Sequence, residues 1–448
     1  MSATQRTSIV VGAGLAGLTA AYRLQQAGWD VKVLERGPVV GGRVQTITKD
    51  GYLIDTGAGA LFEGFGDYMQ LASELSLGDD LVVSSNTVAT VRSGVLHHLD
   101  VTRPIRSGLT TRLISLRSKL LALRLAYDIA RLRGVLDYND LSRAAAHDTE
   151  SAGEYCRRRL NAELDAYVCE PMLRGLVLTT SDNVSKLEFL SGLSNLFNGR
   201  LHNLRGGLNR FPQALASRLD VRLGSEATGI VEEGNGVRVT WTSEGRESTE
   251  RCDGCVVAVP LHTAADLCPG QASVLDPLNR VLTYSKGLVV HLGLRAAPPT
   301  PASVIQIPRS ESATIAVLLL DHNKAPDRAP GGHGLVSALW DQDEGERVRH
   351  LSDDAIVKLT VAEVEKIFPG TEAVVDMTHI SRWDEVVPFT RPGCFKAQRA
   401  FKEAVDRSGP IQFAGDFLST GGQNTAVHYG NLAARNLSGH AARTSVTS

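Results

Sequence analysis

Three glycines and one acid, Gly12, Gly14, Gly17 and Glu35, have the residue types and spacing most suggestive of chemistry in this chain. Gly12-x-Gly14-x-x-Gly17 follows the apolar run Ser8-Ile-Val-Val and opens an amphipathic stretch, Leu18 to Ala27, that Gly28 stops. A second strand, Asp30 to Leu34, then ends at Glu35, 18 residues beyond Gly17. Strand, glycine turn, helix, strand, acid is the order that seats a dinucleotide. Gly12 allows the tight turn, Gly14 lets the backbone approach a pyrophosphate, and Gly17 lets helix and strand pack closely. The helix start offers unpaired N–H donors to phosphate, and Glu35 accepts from ribose hydroxyls. Ala13, Leu15 and Ala16 within the turn, and Arg36 beside the acid, belong to the same site by position.

The surrounding motifs narrow the cofactor. Behind the acid stands Gly37-Pro-Val-Val-Gly41-Gly42-Arg43, followed by Gly51-Tyr-Leu-Ile-Asp55-Thr-Gly57-Ala58-Gly59. Near the carboxyl end, Ile411-Gln-Phe-Ala-Gly415-Asp416 reads as a strand running into Gly-Asp, ahead of a helix over Thr425 to Leu437. With these motifs the chain resembles the flavin-containing amine oxidase superfamily, nearest to its protoporphyrinogen oxidase and FAD-dependent desaturase branch. The resemblance implies FAD, held without a covalent bond, with Arg43 near its phosphates and flavin and Asp416 near its ribityl and phosphate region. It further implies cofactor contacts from Gly57, Ala58, Ala227, Pro260, Trp383 and Gly415. Gln423, Asn424 and Thr425 would then stand at the helix start that faces the flavin.

The expected fold class is α/β, a Rossmann-like FAD-binding domain of the GR2 type with a discontinuous α+β substrate domain. Residues 1–85, 204–282 and 385–448 are assigned to the cofactor, and 86–203 with 283–384 to the substrate. Strands are expected at Val221 to Ile230, Val237 to Trp241 and Cys255 to Pro260. The first insertion reads as helical, at Thr111 to Leu132, Ser151 to Arg159, Ala162 to Tyr167 and Lys186 to Leu196. The second carries strands Gly287 to Leu294 and Ala313 to Leu320, with a surface loop over Ala325 to Gly334.

Composition closes off other classes. A formal net charge of -2 across 448 residues leaves no electrostatic footprint for nucleic acid. Six cysteines are too sparse for a disulfide scaffold, Cys252-x-x-Cys255 lacks the further ligands of a zinc site, and no metal cluster is evident. No signal segment precedes Ser8 and no apolar run is long enough to span a bilayer, so the expected location is the cytoplasm. Between Arg112 and Arg133 six basic residues face one acid, Asp128, with leucines between. Such a helix can lie on an anionic membrane as a peripheral contact, but the expectation is a solvated face on a packed helix.

The loop Arg382-Trp383 to Pro392-Gly393-Cys394-Phe395 resembles the family segment that crosses the flavin, which makes Trp383 and Phe395 candidates to position the substrate. The second ring of an amine oxidase cage is missing near Gly421 and Gly422. Lys286 is a candidate for the family's lysine near the flavin, although it falls about three residues early; His97, His98, His202 and His428 are available bases. These features favour hydride removal from a small, apolar, cyclic molecule, with oxygen as acceptor. An amine oxidase is the alternative, and a non-redox flavin isomerase a more distant one. The purified protein is expected to be yellow and to release FAD, not FMN, on denaturation, as chromatography of the supernatant will show. Glu35→Ala removes hydrogen bonds to a charged group, each worth about 1.5–3 kcal/mol, so titration should find FAD bound at least about tenfold more weakly; unchanged occupancy would remove the ribose assignment.

Overall fold

The structure, a computed structural model, describes residues 5–196 and 199–447, leaving aside the side chains of residue 196 and of 441–447. The chain enters through β1 (Thr7–Val11), whose Ile9, Val10 and Val11 are buried, as a central strand of a parallel sheet requires. Helix α1 (Leu15–Gln26) follows with no side chain capping its first N–H groups. It starts three residues before Leu18, because the turn residues are themselves helical. A Cβ on Gly17 would overlap the Gly12 carbonyl oxygen, so only glycine permits this approach of helix to turn. Strand β2 (Asp30–Leu34) forms at the expected residues, and the hairpin β3 (Thr46–Lys49) and β4 (Tyr52–Asp55) comes next.

The first insertion departs from its helical reading by opening with two strands, β5 (Thr87–Arg92) and β6 (Val95–Asp100). Then come α2 (Pro104–Thr110), α3 (Leu116–Leu132), α4 (Ala152–Arg159), α5 (Glu170–Leu176) and α6 (Lys186–Leu196). The helix expected from Thr111 begins only at Leu116, because the Ser115 hydroxyl accepts the Ser118 N–H and caps it there. The helix expected over Ala162 to Tyr167 is α-helical only to Leu164, after which a single π turn, Asp165–Cys169, widens the chain into α5.

The chain returns through β7 (Asp220–Arg222), β8 (Ser225–Glu233), β9 (Gly236–Ser243), β10 (Arg246–Cys252) and β11 (Gly254–Val257). The single strand expected over Val221 to Ile230 is broken at Gly224, whose φ is 63°. β7 therefore joins the parallel sheet while β8, β9 and β10 form an antiparallel meander. The second insertion supplies β12 (Gly287–Leu294), β13 (Val304–Gln306), β14 (Ile315–Leu320), β15 (Gly334–Trp340), α7 (Asp353–Glu365) and β16 (Val375–Trp383). Helix α8 (Cys394–Ala404), strand β17 (Ile411–Phe413) and helix α9 (Gln423–Thr447) complete the fold.

Two sheets organise these elements. The parallel sheet has the order β7-β2-β1-β11-β17, with Val10 level with Val33 on one side and Val256 on the other. The larger sheet runs β16-β12-β15-β14-β13-β5-β6 and is antiparallel except between β13 and β5. Side chains alternate across it. Leu288, Val290, Leu318, Val336 and Ala338 pack with Ile356 and Val364 of α7, so Val289, His291, Leu319, Ser337 and Leu339 point the other way, into the interior of the molecule. The result is the Rossmann-like α/β arrangement expected from the sequence.

Helices α1 and α9 cross on one face of the parallel sheet, where Leu18, Ala21, Val427 and Leu437 share a core. At the crossing a Cβ on Gly430 would stand 2.5 Å from the Ala16 carbonyl oxygen. Gly430→Val should lower stability by about 1–3 kcal/mol or more through overpacking, read as a lower urea midpoint, and should loosen the cofactor end that α9 positions.

Candidate active site

A cavity of about 1170 Å³ runs from the start of α1 to the inward face of the larger sheet. At its first end Gly12, Gly14, Leu15 and Ala16 form the wall, with Glu35 and Arg36 beyond the end of β2. Glu35 is held in place by two backbone donors: Ala13 N–H to Oε2 and Gly37 N–H to Oε1, each at 2.8 Å. Each oxygen keeps a lone pair for a ribose hydroxyl. The uncapped amino end of α1 beside this carboxylate is what a pyrophosphate needs, so the residues present fit FAD.

Further along the wall stand Gly41, Gly42, Arg43, Gly57, Ala58, Ala227, Pro260, Trp383, Gly415, Asp416 and Gln423, all expected there from the sequence. Arg43 donates to Asp416 at 2.7 Å and to the Val386 carbonyl at 2.9 Å, and its guanidinium lies 5.8 Å from the Tyr284 ring centre. Burial alone would lower the Arg43 pKa, but Asp416 outweighs that and raises it. Trp383 donates its indole N–H to the Thr56 carbonyl at 2.7 Å, which fixes the ring against the hairpin exit. Gln423 donates to the Ala60 carbonyl at 3.0 Å, while its amide oxygen is buried with no partner among the described residues. That spare acceptor at the start of α9 suits an N–H of a flavin ring.

Four expected contacts stand behind the wall. Ala13 is buried and acts through Glu35; Gly17 sits under the turn; Asn424 accepts the Tyr68 N–H at 2.9 Å; Thr425 is fully buried. Two of the catalytic candidates are displaced. Phe395 is fully buried with Leu141, Ala144, Ala145 and Leu187, away from the cavity, because α8 begins at Cys394 and turns the ring into the core. The N–H groups of Gly393 and Phe395 donate to Asp148, fixing that helix start. Cys394 is buried too, and burial pushes its thiol well above the ordinary range. Lys286 pairs with Glu346 at 2.7 Å on the exterior, and the inward position three residues later belongs to Val289. His97, His98, His202 and His428 are likewise absent from the lining.

Other groups take their place. A Cβ on Gly422 would stand 2.9 Å from the Tyr138 hydroxyl, so a ring from the first insertion occupies the position where the sequence shows no aromatic. Tyr138 stacks on Phe65 with centroids 5.7 Å apart. Its distance along the chain hides it from any local motif. Elsewhere, Cys156, Asp165 and Cys169 bring ligand atoms within 4.8 Å of one another, a cluster the sequence reading missed because the π turn creates it. Burial raises the pKa of both Asp165 and Cys169.

His291, also unanticipated, lies in the cavity wall and is 1% exposed. Its Nδ1 is 2.7 Å from Ser337 Oγ and its Nε2 3.0 Å from Ser381 Oγ. Ser337 donates to Asp321, which Lys324 pairs at 2.7 Å. With Ser337 committed to that carboxylate, its oxygen accepts Nδ1–H, and Nε2 accepts from Ser381. Burial pushes the ring down to about 3, so it is neutral at physiological pH.

The fold and cavity define a flavin-binding oxidoreductase. The family model of the flavin containing amine oxidoreductases matches residues 15–438, and the chain belongs to that family. Coproporphyrinogen III oxidase of Bacillus subtilis is 23% identical over 463 residues, covering 92% of this chain and 93% of that one. A structure from Exiguobacterium to which protoporphyrinogen oxidase activity is ascribed aligns with a TM-score of 0.75 at 20% identity, covering 97% of this chain and 99% of that one. A putrescine oxidase double mutant aligns with a TM-score of 0.79 at 18% identity, with the same coverage. These structural likenesses concern the fold alone. Among the described residues no helix is long and apolar enough to cross a membrane.

His291 gives a pH signature. The unfolded ring takes a proton near 6.5, the folded one only at about 3, so stability falls as pH drops through that window. His291→Asn should lose less of its melting temperature across the same window than the parent; parallel curves would contradict the buried, neutral assignment.

Proposed function

We propose that this FAD-dependent enzyme takes a hydride from a C–H of a mostly apolar, cyclic small molecule and leaves it desaturated at a C–C or ring C–N bond. Oxygen is the acceptor and the FAD is held without a covalent link. The division into cofactor segments 1–85, 204–282 and 385–448 and substrate segments 86–203 and 283–384 belongs to this reading. In support, the parallel sheet draws its strands from β1, β2, β7, β11 and β17, and the larger sheet from β5, β6 and β12 to β16.

The observation that carries the proposal is the character of the cavity's far end. Leu113, Ile114, Leu164, Val168 and Met172 face Val88, Val304, Val317, Leu319 and Leu339 across it. An ammonium pressed between these ten apolar side chains would lose its hydration with no counter-ion among them, whereas a neutral ring pays no such penalty. Bound FAD supplies hydride acceptance at N5. The chain's own residues exclude water, press the substrate against one side through Trp383 and Tyr138, and orient it by a few polar atoms. Those atoms belong to Thr90 and Gln306, 3.3 Å apart, where the Thr90 hydroxyl donates to the Gln306 carbonyl oxygen and leaves the Gln306 amide N–H groups for the substrate. The Bacillus subtilis relative, matched along nearly its whole length, is named for a porphyrinogen, which fits oxidation within a ring system.

One observation favours the amine oxidase as a second reading: with Tyr138 against Gly422, the aromatic wall that the sequence lacked is supplied by another part of the chain. Anaerobic mixing separates the two. Under the first reading a saturated ring with an activating carbonyl or conjugated neighbour bleaches the flavin and gains a double bond, and simple primary amines act slowly or not at all. Rapid, stoichiometric bleaching by a primary amine, with an aldehyde or ketone as product, would establish the second instead.

A further inference from the structure

Cys156, Asp165 and Cys169 lie outside the cofactor and substrate cavity, and none of them lines it. Helix α4 supplies Cys156, while the π turn supplies the other two, Asp165 at its start and Cys169 at its end. The Glu170 N–H donates to the Asp165 carbonyl, enclosing one residue more than an α-helical bond, and single π turns of this kind recur at functional sites. Both cysteines are fully buried and share a core with Tyr155, Leu160, Leu164 and Met172. Their sulfurs and a carboxylate oxygen of Asp165 all lie within 4.8 Å of one another. A tetrahedral ion with sulfur at about 2.3 Å and oxygen at about 2.0–2.2 Å sets its ligand atoms about 3.3–3.8 Å apart, so about an ångström of side-chain movement closes the cluster on one ion.

The surroundings leave the cluster short of a cation. Asp165 Oδ1 is buried and has no hydrogen-bond partner among the described residues. Its other oxygen has Arg157 at 3.9 Å, but that guanidinium is held by Asp182 at 2.7 Å. Ser181 approaches the Asp165 carboxylate and favours its charge, yet burial outweighs it. Glu170 adds a further acid next to the turn, and Arg174 and Arg309 serve that one. Buried polar atoms ordinarily find partners, so an orphaned carboxylate oxygen beside two thiols points to a ligand. Burial also raises the Cys169 thiol, which keeps its proton until a cation displaces it. Two thiolates with one carboxylate select an ion of the zinc type over magnesium or calcium, which take oxygen ligands. A water completes the tetrahedron, and the Asp165 side chain, 17% exposed, marks the side from which it enters.

The place of the cluster gives such an ion a task. Between Asp165 and Cys169 the π turn carries Tyr167 and Val168, and both line the cavity, as do Leu164 just before the turn and Met172 beyond it. An ion bound behind the turn ties it to α4 and so holds the apolar wall at the far end without touching a substrate.

We propose that Cys156, Asp165 and Cys169 form a zinc site that fixes the π turn behind the cavity wall. It does not depend on which bond the enzyme oxidises. The test is titration of the reduced, chelator-treated, FAD-loaded protein with Zn²⁺ against a competing chromophoric chelator, with Co²⁺ as a spectroscopic probe. A single tight zinc per chain is expected, with a higher melting temperature on loading. Cobalt should show sulfur-to-metal charge transfer and tetrahedral ligand-field bands to the red of the flavin. Cys156→Ser and Asp165→Asn should each weaken zinc binding at least about tenfold, with bound-flavin absorbance unchanged as the check on folding. Should the serine variant fold poorly, the near-isosteric Asp165→Asn and the cobalt spectrum of the parent still decide. Absence of stoichiometric zinc would overturn the proposal, as would binding that both variants retain or a cobalt spectrum without sulfur ligation. So would a Cys156–Cys169 disulfide recovered by peptide mapping from protein that takes up no zinc, since the two thiols would then serve each other.

Discussion

The ion pair between Arg43 and Asp416 holds the site together. Its partners lie 373 residues apart in sequence, one just after the first nucleotide-binding turn and the other just after the last strand of the parallel sheet. At 2.7 Å, with Asp416 almost wholly buried, the pair is costly to break on one side only, because the remaining charge would be desolvated and alone. The second donation from Arg43, to the Val386 carbonyl, adds the segment following β16. One guanidinium thus fixes three chain segments around the same stretch of cavity, and Trp383, Tyr284 and Gln423 take their places relative to it. Burial alone would disfavour this cation, and Asp416, with smaller contributions from Tyr284 and Glu385, offsets that and raises its pKa.

What the sequence reveals and conceals follows from the range of the forces involved. The Gly12 to Glu35 unit is legible because each constraint is local: a turn, a close helix approach and a strand end with an acid, all within one βαβ stretch. Strands β2 and β12 and helix α6 appear at their expected residues for the same reason. The start of α3 was obscured because Ser115, the residue that decides it, sits inside an otherwise helical apolar pattern. Strands β5 and β6 exist because they pair with β13 and with each other, a long-range condition that the alternation of Thr87 to Arg92 only permits. Tyr138 and Phe395 show the limit most clearly. Resemblance placed Phe395 over the flavin, yet the helical start at Cys394 rotates it into a core, and a tyrosine from another insertion stands where no nearby ring was available.

Charge is distributed unevenly along the cavity, and this shapes what can bind at each end. The cofactor end holds Glu35 and the Arg43–Asp416 pair, suited to ribose and phosphate. Behind the hairpin that forms the middle wall, Arg328 pairs with Asp55 at 2.9 Å and Lys324 with Asp321 at 2.7 Å, all four almost fully buried. Each pair is internally neutral, so the interior there carries strong hydrogen bonds without a net field. Burial still raises the Asp55 pKa despite Arg328, the Thr46 hydroxyl and the Leu208 N–H, which shows how dry this layer is.

The same dryness accounts for His291. A histidine in that position would protonate readily if the neighbouring Asp321 faced it alone, but Lys324 already neutralises that carboxylate and burial dominates, so the ring is held as one neutral tautomer between two serines. With both nitrogens taken by serines, the uncharged imidazole completes the wall without attracting cations or water. Substrate choice at the far end then rests on the shape of the apolar walls and on a handful of neutral hydrogen-bonding atoms. Such a site discriminates weakly by size but strongly against a ligand that leaves the Gln306 amide N–H groups unpaired, since these would be stranded where little water is offered in exchange.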